Sequence, residues 1–141
     1  MGDFRSFQST RRGVAAPMEP VVDPAGWSPD ELRDVGRWSY RISEREADDL
    51  AAAVAAVRRD GVPIVEVARE NFPLGAFAEV LADVRRELTD GRGIVMLRNF
   101  PVERFDREAT AIAYIGLGAY LGGTMSQNKQ GHVLGDRKSV V

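Results

Sequence analysis

The stretch that decides the fold is Gly91-Arg92-Gly93-Ile94-Val95-Met96-Leu97-Arg98-Asn99-Phe100-Pro101-Val102. Its first glycines follow Asp90 in a pattern that is typical of a turn. The apolar run from Gly93 to Arg98 is almost uninterrupted, which predicts a β-strand buried on both faces. Pro101 ends this strand because proline cannot donate a hydrogen bond to a neighbouring strand.

The segment after this strand predicts a helix from about Arg107 to Leu121, with Asp106 as its N-cap. The helix is apolar on nearly all sides, so we expect it to lie deep in a larger body. Its apolar stretch is shorter than the roughly 20 residues that a membrane span requires. The apolar and aromatic positions are Ala111, Ile112, Tyr114, Ile115, Leu117 and Tyr120.

Two capping boxes precede the strand. The first, Ser28-Pro29-Asp30-Glu31, predicts a short helix from Pro29 to about Val35, and the alternation from Trp38 to Ile42 predicts a short strand. The second, Ser43-Glu44-Arg45-Glu46, opens a longer helix that ends at Gly61. The predicted buried stripe of this longer helix is Ala47, Leu50, Ala51, Val54 and Val57.

Two further elements complete the pattern. Val62 to Val67 predicts a short strand, which Pro63 directs to a sheet edge. Leu74 to Leu88 predicts a third helix with one apolar face. That face consists of Phe77, Val80, Leu81, Val84 and Leu88. Helices and strands are therefore mixed along the chain, which indicates an α/β (α+β) fold.

The composition excludes several classes of function. The 141 residues include no cysteine and a single histidine, so one copy cannot form a disulfide, a thiolate site or a multi-histidine metal site. A net charge of −2 provides no basic surface for nucleic acid or for an anionic membrane. We therefore expect a cytoplasmic protein without nucleic-acid or membrane partners.

Two polar or glycine-rich segments are candidates for ligand contacts. Gly116, Gly118, Gly122 and Gly123 resemble a phosphate-binding loop, but they lie in or at the end of a helix, so close helix packing explains them better. Ser126-Gln127-Asn128-Lys129-Gln130 follows the most apolar helix. Its amides either contact a ligand or organise a loop, and Gln127 and Asn128 are the candidate substrate-pocket residues.

The remaining polar features are interpreted as structural. The carboxylates of Glu44, Glu46, Asp48 and Asp49 share a helix with several arginines, which is typical of a solvated charged face rather than an acid/base pair. His132 is interpreted as a loop or strand-start histidine because a metal site needs partner ligands that the composition does not provide.

These residues together resemble a known family. The pattern comprises Trp38-Ser39-Tyr40, Phe72-Pro73-Leu74, the 91–102 stretch, the helix with Tyr114 and Leu117-Gly118, and Ser126-Gln127-Asn128 followed by Gly131. It is similar to the N-terminal part of the TauD/TfdA (taurine dioxygenase-like) family of Fe(II)- and 2-oxoglutarate-dependent oxygenases. The resemblance covers residues from about Trp27 to Gly135.

The resemblance implies a double-stranded β-helix (jelly-roll) dioxygenase that hydroxylates a small organic substrate. In that family a His-x-Asp/Glu…His triad holds the iron, and an arginine secures 2-oxoglutarate. No His-x-Asp or His-x-Glu occurs here, because Val133 and Leu134 follow His132. The chain is thus expected to be the helix–strand portion that precedes the metal-binding core. It should contain no catalytic or metal-ligating residue and bind neither Fe(II) nor 2-oxoglutarate by itself.

The predicted domain organisation has three parts: a disordered arm at 1–26, the TauD/TfdA-like portion at 27–135 and a non-native tail at 136–141. The hexapeptide Asp136-Arg137-Lys138-Ser139-Val140-Val141 matches the translation of a widely used short-read sequencing adapter, so we expect it to be non-native; the alternative is a basic tail that arose by chance.

A truncated domain should expose apolar surface and self-associate. The rival hypothesis is a complete small α/β or helical module, without catalytic activity, that docks a partner through its apolar last helix.

Overall fold

The computed structural model describes Val14 and residues 16–135. Three helices and two short strands follow one another in the order β1, α1, α2, β2, α3. Their bounds are β1 (Ser39–Arg41), α1 (Glu44–Arg59), α2 (Phe77–Asp90), β2 (Met96–Arg98) and α3 (Arg107–Leu121). The predicted tail at 136–141 and, from the predicted arm, residues 1–13 and 15 lie outside the described residues.

The two strands form a parallel pair. Ser39 is opposite Met96, Tyr40 opposite Leu97, and Arg41 opposite Arg98. The Met96 N–H donates to the carbonyl of Trp38 at 3.0 Å, and the Ile42 N–H donates to the carbonyl of Arg98 at 3.0 Å. Parallel strands require a long crossover connection, and α1 and α2 provide it.

The α1 helix begins at the predicted capping box. Ser43 accepts a hydrogen bond from the Glu46 N–H, and the Glu46 carboxylate accepts one from the Ser43 N–H. The same carboxylate also accepts a 2.5 Å hydrogen bond from the Tyr40 hydroxyl, which attaches β1 to the first turn of α1. The buried stripe matches the prediction except that Ala53 replaces Ala51, which is half-buried.

The α2 helix begins at Phe77, three residues later than predicted, because Leu74 instead forms the turn before it. Leu74 is fully buried, and its carbonyl accepts the Phe77 N–H at 3.1 Å. At the other end, the buried Glu87 carboxylate accepts the Arg92 N–H at 3.0 Å. A Cβ at Gly91 would lie 2.5 Å from that carboxyl carbon, so a larger residue there would displace the Glu87 carboxylate from the turn between α2 and β2.

Two predicted elements are wrong. Residues Pro29 to Val35 form turns instead of a helix, and a 3₁₀ turn follows at Val35–Arg37 with Asp34 as its cap. The Asp34 side chain accepts the Gly36 N–H, a local bond that competes with helix formation. In place of the predicted edge strand at Val62 to Val67, the chain forms a 3₁₀ turn at Ile64–Glu66. The Asn71 side-chain amide donates a hydrogen bond to the Glu66 carbonyl at the end of this turn.

The expectation that β2 is buried on both faces is also wrong for this chain. Met96 is 41% exposed and Arg98 is exposed, while Leu97 between them is half-buried. Period-2 alternation places Leu97 and Tyr40 towards the helices and Met96 on the opposite face. In the described residues the sheet has two strands, and on its outer face Arg41, Met96 and Arg98 are exposed while Ser39 is half-buried.

The hydrophobic core lies where α3 packs against α1 and α2. Phe72 is fully buried at its centre, and its carbonyl accepts the Tyr120 hydroxyl at 2.7 Å. The predicted buried helix is confirmed at Ile112, Ile115 and Leu117. Tyr114 is 67% exposed, however, so the outer side of α3 is not buried in the described chain.

Asp106 confirms its predicted role as the N-cap of α3, where it accepts the Ala109 N–H at 2.8 Å. Its carboxylate also lies 2.6 Å from the Arg58 guanidinium, which joins the end of α1 to the start of α3. The Arg58 hydrogen bond, followed by the one from the Ala109 N–H, lowers the pKa of Asp106 below its ordinary value of 3.8.

We expect Asp106→Ala to lower the Tm by about 5 °C, because it removes both the cap and the ion pair. Asp106→Asn retains a capping oxygen and should have a smaller effect. Thermal unfolding followed by circular dichroism measures both changes. Equal Tm values for the alanine and asparagine variants would show that the cap contributes nothing.

The same variants test how the contribution of Asp106 to stability depends on pH. A carboxyl whose pKa is lowered by folding stabilises the protein above its unfolded pKa and loses that contribution as the pH falls through its folded pKa. The difference in Tm between the wild type and Asp106→Asn should therefore be complete at neutral pH and disappear as the pH falls below 3.8. If this Tm difference persists unchanged at pH 2, the Asp106 carboxylate is not its cause.

Candidate functional site

An open groove lies between the outer side of α3 and the segment that follows the helix. Its volume is about 740 Å³, which is within the range of sites for small organic molecules. The α3 wall is formed by Arg107, Thr110, Ala111, Tyr114, Ile115 and Gly118. The opposite wall is formed by Gly123, Thr124, Met125, Gln127, Val133, Leu134 and Gly135.

The chemistry of the groove is mixed. Arg107 provides a guanidinium, Tyr114 a phenol and Gln127 an amide, while Ile115 and Leu134 provide apolar contacts. No carboxylate or histidine is among the groove-lining residues of the described chain. The groove can therefore bind and orient a neutral or anionic molecule, but it contains no general base that would be active near neutral pH.

The two candidate substrate-pocket residues lie in different positions. Gln127 lines the groove. Its side-chain N–H donates to the Met125 carbonyl at 3.0 Å, and its backbone N–H donates to the His132 carbonyl. Asn128 does not belong to the groove wall. Its Oδ1 accepts the backbone N–H groups of Gln130 and His132 at 3.1 and 3.0 Å.

The Asn128 side chain also determines how His132 is placed. Because Oδ1 accepts the two backbone N–H groups, the amide nitrogen faces Nδ1 of His132, 2.8 Å away. Asn128 donates this hydrogen bond, so Nδ1 is the acceptor and the neutral imidazole carries its proton on Nε2. Asn128 thus organises the loop from Ser126 to His132, of which Gln127 is the groove-facing member.

The residues present do not fit an iron centre of the two-histidine, one-carboxylate type. The single histidine of the chain is exposed and is bonded to an asparagine. Across residues 16–135, no three His, Cys, Asp or Glu side chains are arranged to hold a metal ion. The donor set that such iron requires, two imidazoles and a carboxylate around open positions, is therefore not provided by these residues.

The acidic side chains of α1 form ion pairs. Arg104 lies 2.5 Å from Glu44 and 2.6 Å from Asp48, all at the surface. The hydrogen bond to Asp48 is the main reason that the pKa of Arg104 is raised. Surface pairs of this kind contribute little to stability, and the interpretation of these carboxylates as a solvated charged face is consistent with their exposure.

The interpretation that the glycines allow close helix packing is confirmed for Gly116. It is wrong for Gly118, Gly122 and Gly123, where an added Cβ would meet nothing within 4 Å. A Cβ at Gly116 would lie 2.5 Å from Cδ1 and Cζ of Phe72, so close packing requires glycine there. A Cβ at Gly118 would meet nothing within 4 Å, since this residue faces the groove.

Most of the groove-lining residues of α3 were not predicted from the sequence. Arg107, Thr110, Tyr114 and Gly118 recur at intervals of three or four residues, so they lie on one side of a helix. This weak polar stripe was present in the sequence, but the strong apolar positions around it indicated a helix buried on all sides. Within the described chain, none of the helices is both long and apolar enough to traverse a bilayer.

The fold and the groove define a class of protein: a mixed helix–strand body with a groove of small-molecule size and, in the residues described, no metal site of its own.

The chain is similar to FR-33289 synthase of Streptomyces rubellomurinus (strain ATCC 31215), with 26% identity over 113 residues. The match covers 80% of this chain and 33% of that protein, so the chain spans about a third of its relative's length. No family model matches the chain. The similarity is distant and relates the chain to an enzyme.

Proposed function

We propose that this chain is the N-terminal portion of an Fe(II)- and 2-oxoglutarate-dependent dioxygenase that hydroxylates a small organic substrate. The observation that carries the proposal is the 26% identity to a synthase across 80% of the chain. The TauD/TfdA-like motifs support the reaction class, because they occur within the same residues. The length of the relative supports a longer protein, since the chain corresponds to 33% of it.

In this proposal the iron and 2-oxoglutarate are bound by residues outside the described chain. The described residues contribute the groove, in which Gln127 and Tyr114 are placed to hydrogen-bond a substrate and Arg107 to attract an anionic group. Asn128 acts as a positioning residue because it holds the loop that carries Gln127.

The genomic DNA beyond the codon for Gly135 tests the proposal directly. We expect the reading frame to continue into a segment that encodes His-x-Asp or His-x-Glu and, further on, a second histidine. A genuine stop codon after Val141 would contradict the dioxygenase proposal for this gene product.

A binding experiment tests the division of roles. We expect the 141-residue chain to show no stoichiometric Fe(II) binding with 2-oxoglutarate in an anaerobic titration, whereas the longer gene product should bind one iron. His132→Ala in the short chain is the control, and it should leave any weak background binding unchanged. Tight one-to-one binding by the short chain that His132→Ala abolishes would overturn the proposal.

A protein-interaction module is the second candidate function. The uncovered side of α3 favours it, because Tyr114 and Met125 are 67% and 76% exposed at the groove. A chain that unfolds in one sharp, reversible transition as a monomer would support this alternative. Concentration-dependent association with a broad transition would instead support the dioxygenase portion.

A further inference from the structure

Two arginines are directly opposite each other in the parallel sheet. Arg41 ends β1, Arg98 ends β2, and the strand register pairs them. Neighbouring strands are about 4.8 Å apart, and side chains at paired positions project from the same face. Ser39 and Met96 are the other residues on that face, which lies opposite the helices and is exposed at Met96 and at both arginines.

Within the part of the chain that the structure describes, neither guanidinium has a counter-ion. Both residues are exposed, and no residue among 16–135 forms an ion pair, a side-chain hydrogen bond or a ring contact with either of them. By contrast, the two arginines that connect the helices, Arg58 and Arg104, each contact two carboxylates. The register thus places two arginines side by side, and residues 16–135 supply no negative charge that pairs with either of them.

This pairing has an energetic consequence. Two like charges on paired side chains of neighbouring strands repel each other, and the repulsion is relieved when an anion lies between them. An oxyanion can accept two parallel N–H bonds from each guanidinium, and both planar forks are available here. A phosphate or carboxylate group is therefore better suited to this position than a monatomic anion of equal charge.

We propose that Arg41 and Arg98 form a binding site for a compact oxyanion, either a phosphate or a carboxylate group, on the outer face of the β1–β2 sheet. Arg107 and the groove belong to a different surface, because they are defined by α3 and the segment after it. The inference rests on the register of the strands and does not depend on the proposed dioxygenase function.

Titration of the ¹⁵N-labelled chain with inorganic phosphate, and separately with malonate, tests the site. We expect saturable shifts at the backbone amides of residues 39–41 and 96–98 with at least one of these anions. Arg41→Gln and Arg98→Gln should each weaken binding by about tenfold, as expected for the loss of one charge-assisted contact. The anion whose titration gives saturable shifts shows whether the site prefers a phosphate or a carboxylate group.

Arg45→Gln is the matched control because Arg45 is also an exposed arginine that has no counter-ion among the described residues. It should leave the titration unchanged, and Arg98→Lys should weaken it less than Arg98→Gln. The proposal is overturned if neither anion saturates, if chloride at equal ionic strength produces the same shifts, or if Arg45→Gln weakens binding as much as Arg98→Gln. Shifts confined to Arg107 and the groove would also overturn it.

A stability measurement provides a second readout. Phosphate should raise the Tm of the wild type and of Arg45→Gln, because binding to the native state stabilises it. It should not raise the Tm of the double variant Arg41→Gln/Arg98→Gln. An equal increase in all three proteins would indicate a general salt effect and contradict a site at the paired arginines.

Discussion

Replacing Phe72 by alanine should lower the free energy of unfolding by about 3–5 kcal/mol, the typical effect of emptying a buried aromatic site. Phe72 is 0% exposed and lies in the core that α3 shares with α1 and α2. Its ring packs on the backbone of Gly116, and its carbonyl accepts the Tyr120 hydroxyl. The truncation thus removes the ring against which α3 packs.

Urea unfolding monitored by circular dichroism measures this change, and Val65→Ala is the control. Val65 is 73% exposed, so its truncation should alter the free energy of unfolding by less than about 0.5 kcal/mol. If both variants shift the midpoint by the same small amount, the packing around Phe72 is not what holds α3 in place.

Replacing Gly116 by alanine should lower the free energy of unfolding by about 1–3 kcal/mol, although alanine is the better helix former. The added Cβ would lie 2.5 Å from Cδ1 and Cζ of the Phe72 ring. Since the ring is fully buried, it cannot move aside without disturbing its neighbours.

Gly118→Ala is the matched control within the same helix. Its Cβ would meet nothing within 4 Å, so the substitution should stabilise the protein by about 0.5–1 kcal/mol through helix propensity alone. The double variant Gly116→Ala/Phe72→Leu should be more stable than the sum of the two single changes predicts, because the smaller side chain makes room for the methyl group. Strict additivity would argue against direct contact.

These two residues also connect the core to the groove. Gly116 faces Phe72, while Gly118 and Tyr114 face the groove, so the close contact of Gly116 sets how α3 is rotated about its axis. A variant that pushes α3 outward should therefore change the groove even though it alters no groove-lining residue.

Local signals in the sequence were sufficient for the three helices. Ser43 and Asp106 cap α1 and α3 at the predicted positions, and the apolar spacing correctly indicates most of their buried residues. Such signals depend on hydrogen bonds and side-chain contacts between residues that are close together in the sequence, so the local sequence is enough to predict them.

Local signals failed where turn chemistry competes with a regular element. Ser28 and Glu31 form one half of a capping box, in which the Ser28 N–H donates to the Glu31 carboxylate at 2.6 Å, yet no helix follows. The Asp34 and Asn71 side chains bond to nearby backbone groups and stabilise 3₁₀ turns instead. The outcome depends on small differences between competing local bonds.

The sequence by itself determined the capped helices, the mixed α/β composition and the absence of a second histidine for a metal site. Only the tertiary structure decided that Gln127 lines the groove while its neighbour Asn128 holds the loop, and that Arg41 and Arg98 are paired. Helix capping depends on neighbours along the chain, whereas a groove or a strand register brings together residues that are far apart in sequence. The relative positions of these distant residues are set by core packing, which cannot be predicted from a local sequence pattern.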